Sequence, residues 1–111
     1  MKRKGLERII HIKECIEKIL NVTRTTTRAG LENDDILFTA LTRWIEIIGE
    51  AAKYVPDEIV SAFPQIPWKE MAGMRDIVAH DYDDVDVDEI WNVVQKDIPL
   101  LKTELDKIPI T

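Results

Sequence analysis

Cysteine, histidine and glycine are all scarce in this chain of 111 residues, which has one cysteine, two histidines and four glycines. A single cysteine cannot form an internal disulfide, and Cys15 falls within a helical pattern of isoleucines, so we interpret it as a small buried hydrophobic residue. No apolar run approaches the roughly 20 residues needed to span a bilayer. A glycine-rich phosphate loop is also absent. These absences exclude a disulfide scaffold and predict a soluble, cytoplasmic protein without a membrane span.

Charge is unevenly distributed along the chain. The net charge of −6 argues against broad, non-specific binding of nucleic acid. Residues 1–30 nevertheless carry eight Lys or Arg against three Glu, whereas residues 31–111 carry seven Lys or Arg against eighteen Asp or Glu. The basic first segment could steer a phosphate-rich ligand. The favoured interpretation is a solvated helix face that complements acidic neighbours.

The periodicity of apolar residues predicts an all-α protein. Helices are predicted over residues 5–27, 34–54, 57–63, 68–81 and from 86 through 105. Gly30 and Pro56 are the predicted stops of the first two helices, and Asn33 and Asp34 stand at the predicted N-cap of the second. Asp86 opens a predicted capping box with a glutamate three residues later, and Pro99 is predicted to kink the last helix. No strand pattern is present. We therefore predict one domain over residues 1–111, an antiparallel four-helix bundle with a short extra helix.

The segment RDIVAHDY, residues 75–82, concentrates the candidate chemistry of the chain. It combines a fixed cation, Arg75, with a titratable imidazole, His80, and a phenol, Tyr82. On a helix, Asp76 and His80 are i, i+4 neighbours, so the carboxylate could hold one imidazole nitrogen. The Arg and His spacing alone is a weak signal, and His80 capping a helix with Arg75 in a surface salt bridge is the alternative.

Other side chains qualify or support that site. Glu50 stands in the apolar stretch IIGEAA, either as a paired buried acid or as a supporting partner of the Arg75 site. The aspartates after residue 80 lack the glycine and terminal glutamate of a calcium loop, so we predict no metal and no cofactor. Core packing or a dimer interface is the predicted role of the tryptophans, Trp44, Trp68 and Trp91. Packing around the motif helix is the predicted role of Met71 and Met74.

The motif Arg75-x4-His80-x-Tyr82 resembles the R-x4-H-x-Y signature of HepT-type toxins in the HEPN superfamily. The segments IIGEAAK, IPWKEMAGMRDIVAHDYDDVD and IWNVVQKDIPLL resemble the family pattern over about residues 34–101. This resemblance implies a four-helix HEPN fold and a homodimer with the motif at the dimer cleft. It also implies a toxin with metal-independent endoribonuclease activity on RNA.

Carried over by position, the resemblance implies that Arg75 and His80 are catalytic. It further implies a partner antitoxin, a minimal nucleotidyltransferase of the MntA type, which attaches AMP to Tyr82. Many relatives have asparagine where this chain has Asp76, which we expect, with Glu50, to support the site. The alternatives are a non-catalytic HEPN partner that serves as a binding module for a nucleotidyltransferase, or a purely structural helical dimer. For Tyr82 itself, an aromatic cover on the end of the fourth helix stays open as a second interpretation.

Overall fold

The computed structural model describes residues 3–79 and 86–109, and these residues form helices and connecting turns without any strand. The all-α prediction is therefore confirmed for this part of the chain. In chain order the elements are α1 (Arg3–Thr23), α2 (Arg28–Glu32), α3 (Asp35–Lys53), α4 (Asp57–Ala62), α5 (Trp68–Ala72), α6 (Met74–Ala79), α7 (Val87–Asn92), a π-helical turn (Val93–Asp97) and α8 (Ile98–Leu105). None of these described helices is long and apolar enough to cross a membrane.

Helices α1 and α3 pack along each other and supply the centre of the core. Both have apolar residues at spacings of three and four, which places them on one face of each helix. The two faces together hold seven side chains with at most 1% exposure, Ile9, Ile12, Ile16 and Ile19 on α1 and Leu41, Ile45 and Ile48 on α3. Cys15 is buried beside them, and its burial raises the pKa of the thiol. The interpretation of Cys15 as a core residue is confirmed.

The first helix is shorter than predicted, because threonine side chains end it. The hydroxyls of Thr23 and Thr26 donate to backbone carbonyl oxygens four residues earlier, at 2.7 and 2.8 Å. The Thr27 hydroxyl then accepts a hydrogen bond from the Gly30 backbone at 3.0 Å and caps α2. Such local bonds compete with the helical pattern. The predicted stop at Gly30 was wrong, since this residue lies inside α2.

Helix α3 begins and ends close to the prediction. The Asp34 carboxylate accepts a hydrogen bond from the Leu37 backbone N–H at 3.0 Å, which is an N-cap contact. Lys53 is the last helical residue, and Pro56 follows as the cap of the short helix α4. The Asp34 cap and the short helix after Pro56 are both confirmed.

The helix predicted over residues 68–81 is divided into α5 and α6 at Gly73. The Asp76 N–H donates to the Gly73 carbonyl oxygen three residues earlier, at 2.9 Å, so the chain tightens at this point. The indole N–H of Trp68 donates to the Phe63 carbonyl oxygen at 3.0 Å and fixes the proline-containing linker at the start of α5. The predicted continuation of this helix beyond Ala79 lies outside the described residues.

The last predicted helix contains a widened turn immediately before Pro99. In the π-helical segment, the Ile98 N–H donates to the Val93 carbonyl oxygen five residues earlier. Since Pro99 has no N–H and its ring crowds the preceding turn, a wider turn accommodates it next to the position where a kink was predicted. The Asp86 carboxylate caps α7 through the Asp88 N–H at 2.8 Å, two residues on. In the predicted capping box the hydrogen bond would come from the backbone N–H three residues on, that of Glu89, so the observed cap differs from the predicted one.

Candidate active site

Arg75 lies on α6 where this helix approaches α3 at Gly49. A Cβ added at Gly49 would be 2.6 Å from the Arg75 backbone nitrogen and 3.1 Å from the Ala72 carbonyl oxygen. A contact of 2.6 Å essentially never occurs for a real Cβ atom, one of 3.1 Å is unusually tight, and the backbone atoms concerned cannot rotate away. Gly49 is therefore required for the close approach that sets the position of Arg75 relative to α3.

Glu50, the residue after Gly49, contacts the guanidinium group of Arg75. Glu50 Oε1 is 3.2 Å from Arg75 Nη1, and the two side chains are 45% and 34% exposed. Glu50 is thus paired, but it is not buried. The contact joins residues 25 positions apart, so the same stretch of α3 contacts the backbone of Arg75 through Gly49 and its guanidinium group through Glu50.

Neighbouring side chains on α5 and α6 leave Arg75 at the edge of the core. Met71 and Met74 are buried, and Ile77 packs partly buried against the core, so the prediction that the methionines serve packing is confirmed. Trp68 is buried as well. One face of α6 thus anchors the helix, while the Arg75 guanidinium lies at the boundary between core and solvent.

Asp76 occupies the next position on α6 and is exposed. It lies about 100° around the helix from Arg75, on the side that faces solvent. His80 and Tyr82 lie outside the described residues, so their proximity to Asp76 and Arg75 stays a prediction. The site as described consists of Arg75, Glu50, Gly49 and the exposed carboxylate of Asp76.

A shallow groove of about 230 Å³ lies on another side of α5 and α6, against α8. Leu100 and Leu101 contribute an apolar wall, and Glu70 and Asp97 also line it. Two carboxylates disfavour an anionic ligand, and the groove lacks an arginine or lysine among its lining residues. It is therefore a poorer candidate than the Arg75 site for binding a phosphate group.

Several acidic side chains in the described ranges form ion pairs with lysine or arginine. No group of three His, Cys, Asp or Glu side chains in residues 3–79 and 86–109 is arranged to hold a metal ion. Lys13 of α1 pairs with Asp106 at 3.1 Å, and Lys102 of α8 pairs with Glu17 at 2.6 Å. The favoured interpretation of the basic first segment, a helix face complementing acidic neighbours, applies to Lys13.

One cluster at the end of α3 was missed by sequence analysis, which used Tyr54 only to mark the end of a helix. Tyr54 caps α3 four residues after Glu50, and the cationic groups of Arg8 and Lys53 lie within 6 Å of its ring centroid. The i, i+4 relation to Glu50 was visible in the sequence. The contribution of Arg8 was not, because it depends on how α1 packs against the end of α3.

The described part of the chain is all-helical and presents Arg75, the arginine of the R-x4-H motif, where α6 contacts α3. A family model described as "Ribonuclease HepT-like" matches residues 12–108 of this chain, and the chain belongs to that family. The "Probable ribonuclease HepT" of Thermococcus cleftensis is 41% identical over 108 residues, which cover 97% of this chain and 98% of that protein. No solved structure matches the chain with significance.

Two relatives from Methanocaldococcus jannaschii differ in length. The "Gamma-glutamylcyclotransferase and putative RNase MJ0434" is 47% identical over 98 residues, covering 88% of this chain but 44% of that protein. The chain therefore spans less than half of this longer relative. The "Putative RNase MJ1216" is 38% identical over 97 residues, covering 87% of this chain and 80% of that protein.

Proposed function

We propose that this protein is a metal-independent endoribonuclease toxin in which Arg75 and His80 are the catalytic residues. Family membership supports the ribonuclease class. The observation that carries the assignment of Arg75 is its position, with the backbone held against Gly49, the side chain 34% exposed and the guanidinium paired with Glu50. An arginine that is fixed at its base and open at its tip can bind a phosphate group without a large loss of conformational entropy.

Glu50 is proposed to hold Arg75 until RNA binds. Partly exposed ion pairs of this kind contribute at most about 1 kcal/mol, so a phosphate group can displace the carboxylate. The planar guanidinium would then bind two phosphate oxygens. As the phosphorus becomes five-coordinate, negative charge on those oxygens increases, and a fixed cation stabilises that transition state more than the ground state.

His80 is proposed to move the protons. One imidazole takes the proton from the RNA 2′-hydroxyl, whose oxygen attacks the adjacent phosphorus. The bond from phosphorus to the 5′-oxygen breaks, and a protonated imidazole donates a proton to that leaving oxygen. The products are a 2′,3′-cyclic phosphate and a 5′-hydroxyl. Because each chain has one His80, we propose a homodimer with the motif at its cleft, which would supply both base and acid.

Control by modification of Tyr82 is part of the proposal. A minimal nucleotidyltransferase antitoxin of the MntA type would direct the Tyr82 phenol oxygen to the α-phosphorus of ATP. The phenol proton and pyrophosphate would leave, and AMP would remain on the tyrosine. The added anion would oppose RNA phosphate at Arg75 by charge and by volume.

The exposed carboxylate of Asp76 favours a second candidate function. An anion directly after the motif arginine repels RNA phosphate unless it is paired. In this alternative the domain is a non-catalytic binding module that presents Tyr82 to the nucleotidyltransferase. It predicts AMP attachment without RNA cleavage.

The test is cleavage of single-stranded RNA by the wild-type protein, His80→Ala, Arg75→Ala and Arg75→Lys. Loss of the acid–base group should lower the rate by about 10²- to 10⁴-fold, and loss of the arginine by about 10²- to 10³-fold. Lysine should restore little, because it cannot bind phosphate bidentately. Arg43→Ala is the control, since Arg43 is exposed and paired with Glu46 on the same helix as Glu50.

Product ends, oligomeric state and modification complete the test. We expect cyclic phosphate ends, a dimer by light scattering, and a mass increase in AMP units with ATP and the nucleotidyltransferase that is lost in Tyr82→Phe. Unchanged cleavage in both His80→Ala and Arg75→Ala would refute the catalytic assignment. AMP attachment to a protein that never cleaves RNA would favour the binding module.

A further inference from the structure

Two cationic side chains lie close to the ring of Tyr54. This residue is 57% exposed. The guanidinium carbon of Arg8 lies 5.5 Å from the ring centroid, and Lys53 Nζ lies 5.8 Å from it. We call Arg8, Lys53 and Tyr54 the Tyr54 cluster. It combines an aromatic face with two positive charges at one point of an otherwise acidic protein.

Close packing at the start of α1 brings Arg8 to this cluster. A Cβ added at Gly5 would be 2.7 Å from Ile59 Cδ1 and 3.2 Å from Pro56 Cγ. The first turn of α1 therefore lies directly on the segment that follows α3, and Arg8 is one turn further along. Arg8 is consequently positioned by the fold, even though its side chain is exposed.

The cluster adjoins the candidate active site along α3. Glu50 and Tyr54 are i, i+4 neighbours, so they lie on the same side of the helix with a rise of about 6 Å between them. Glu50 contacts the Arg75 guanidinium. A strand of RNA with a phosphate at Arg75 therefore has an aromatic ring and two further cations within reach at the end of the same helix.

The cations of the Tyr54 cluster differ from Lys13 of α1, which forms a salt bridge. Lys13 is neutralised by Asp106 at 3.1 Å, whereas no salt bridge to Arg8 or Lys53 is found within residues 3–79 and 86–109. Lys53 stands in the last turn of α3, where the helix dipole favours a cation. Cation–π contacts at exposed sites are weak, so the ring is readily available to another partner.

We propose that the Tyr54 cluster is a subsite for single-stranded RNA, in which Tyr54 stacks on a base and Arg8 and Lys53 contact backbone phosphates. This inference rests on the proposed ribonuclease function and names residues outside its catalytic motif. Stacking requires an unpaired base, because the faces of paired bases are covered in a duplex. Repulsion by the acidic remainder of the protein would restrict RNA to the basic part of the surface.

Binding of a fluorescent single-stranded RNA is measured in a His80→Ala background, so that the RNA is not cut. Tyr54→Ala should weaken binding at least about fivefold, since base stacking on an aromatic side chain has that effect or more. Tyr54→Phe, which retains the ring, should stay within about twofold of its parent. Arg8→Gln and Lys53→Gln should each reduce the slope of log affinity against log salt by about 0.7.

Arg43→Gln is the matched control, because it removes the same charge from α3 but its cation is paired with Glu46. It should leave both affinity and salt slope nearly unchanged. Circular dichroism of every variant separates loss of contact from loss of fold. If Tyr54→Ala remains folded and binds RNA as tightly as Tyr54→Phe, the subsite is refuted.

Cleavage assays distinguish failure of the subsite from failure of the proposed function. With His80 intact, Tyr54→Ala should raise KM with little change in kcat, because stacking is equal in the ground and transition states. RNA binding that depends on Tyr54 in a protein without cleavage would retain the subsite and reject the nuclease. Cleavage dependent on His80 with unchanged KM in Tyr54→Ala would reject the subsite alone.

Discussion

Gly49→Ala is the substitution that most directly tests how Arg75 is positioned. The new Cβ would lie 2.6 Å from the Arg75 backbone nitrogen and 3.0 Å from its Cβ, so α3 and α6 must separate by several tenths of an ångström. Overpacking of this kind costs about 1–3 kcal/mol, while alanine recovers about 1 kcal/mol of helix propensity. Since rotation of a side chain cannot relieve contact with a backbone nitrogen, the overpacking cost should lie in the upper half of its range, and we expect a net loss of about 1–2 kcal/mol.

Thermal and urea unfolding measure this loss, with Gly73→Ala as the matched control. A Cβ at Gly73 would meet carbonyl oxygens at 3.4 Å, which is ordinary contact, and the backbone there is already near-helical. Gly49→Ala should lower Tm by roughly 4–16 °C, and Gly73→Ala should not lower it. The reasoning is refuted if Gly49→Ala proves at least as stable as Gly73→Ala.

Activity gives a second readout of the same substitution. A displacement near 1 Å can lower a catalytic rate by about 10²-fold, so the folded fraction of Gly49→Ala should cleave RNA more slowly than expected from its stability alone. Glu50→Gln, which leaves the helix contact intact, should have a smaller effect on stability. Equal activity per folded molecule in Gly49→Ala and wild type would show that this contact does not set the position of Arg75.

Two further predictions concern groups away from the site. Burial raises the pKa of the Cys15 thiol. Iodoacetamide at about pH 8 should therefore modify Cys15 slowly in the native protein and rapidly after unfolding. Equal rates of modification in the two states, measured by mass spectrometry, would contradict the burial of Cys15. The hydrogen bond from Lys13 lowers the pKa of Asp106 in the folded protein below its usual 3.8. Ionised Asp106 therefore stabilises the fold at pH values above 3.8. This stabilisation is lost as the pH falls through the pKa that Asp106 has in the folded state. Urea unfolding should therefore show wild type more stable than Lys13→Gln near neutral pH, and the difference should disappear in strong acid; a difference independent of pH would contradict the assignment.

Local signals in the sequence were sufficient for several helix boundaries. Asp34 sets the start of α3 through its side-chain cap, and Pro56 prevents the continuation of α3 because it has no N–H. Both effects act within four residues. The end of α1 was missed because three nearby threonines offer the backbone competing hydrogen bonds that apolar periodicity does not register. Gly73 divides the motif helix in a different way, through a backbone hydrogen bond from Asp76 to the Gly73 carbonyl oxygen three residues earlier.

The candidate site depended on contacts between distant segments. The motif indicated Arg75, and the isolated charge at Glu50 indicated a partner, but only the packing of α3 against α6 gives the 3.2 Å contact between them. Arg8 joins Tyr54 through a helix contact more than 40 positions away in sequence. His80 and Tyr82 lie outside the described residues, so their roles stay predictions.

The π-helical turn at Val93–Asp97 has a consequence for comparing homologues. A turn of this kind contains one residue more than the α-helix it interrupts. A relative lacking one residue in this window could close the turn into a regular helix while Ile90 and Ile98 both stay in the core. We therefore expect a single-residue gap to be tolerated here, and alignments that force it elsewhere in the last helix would misassign its buried face.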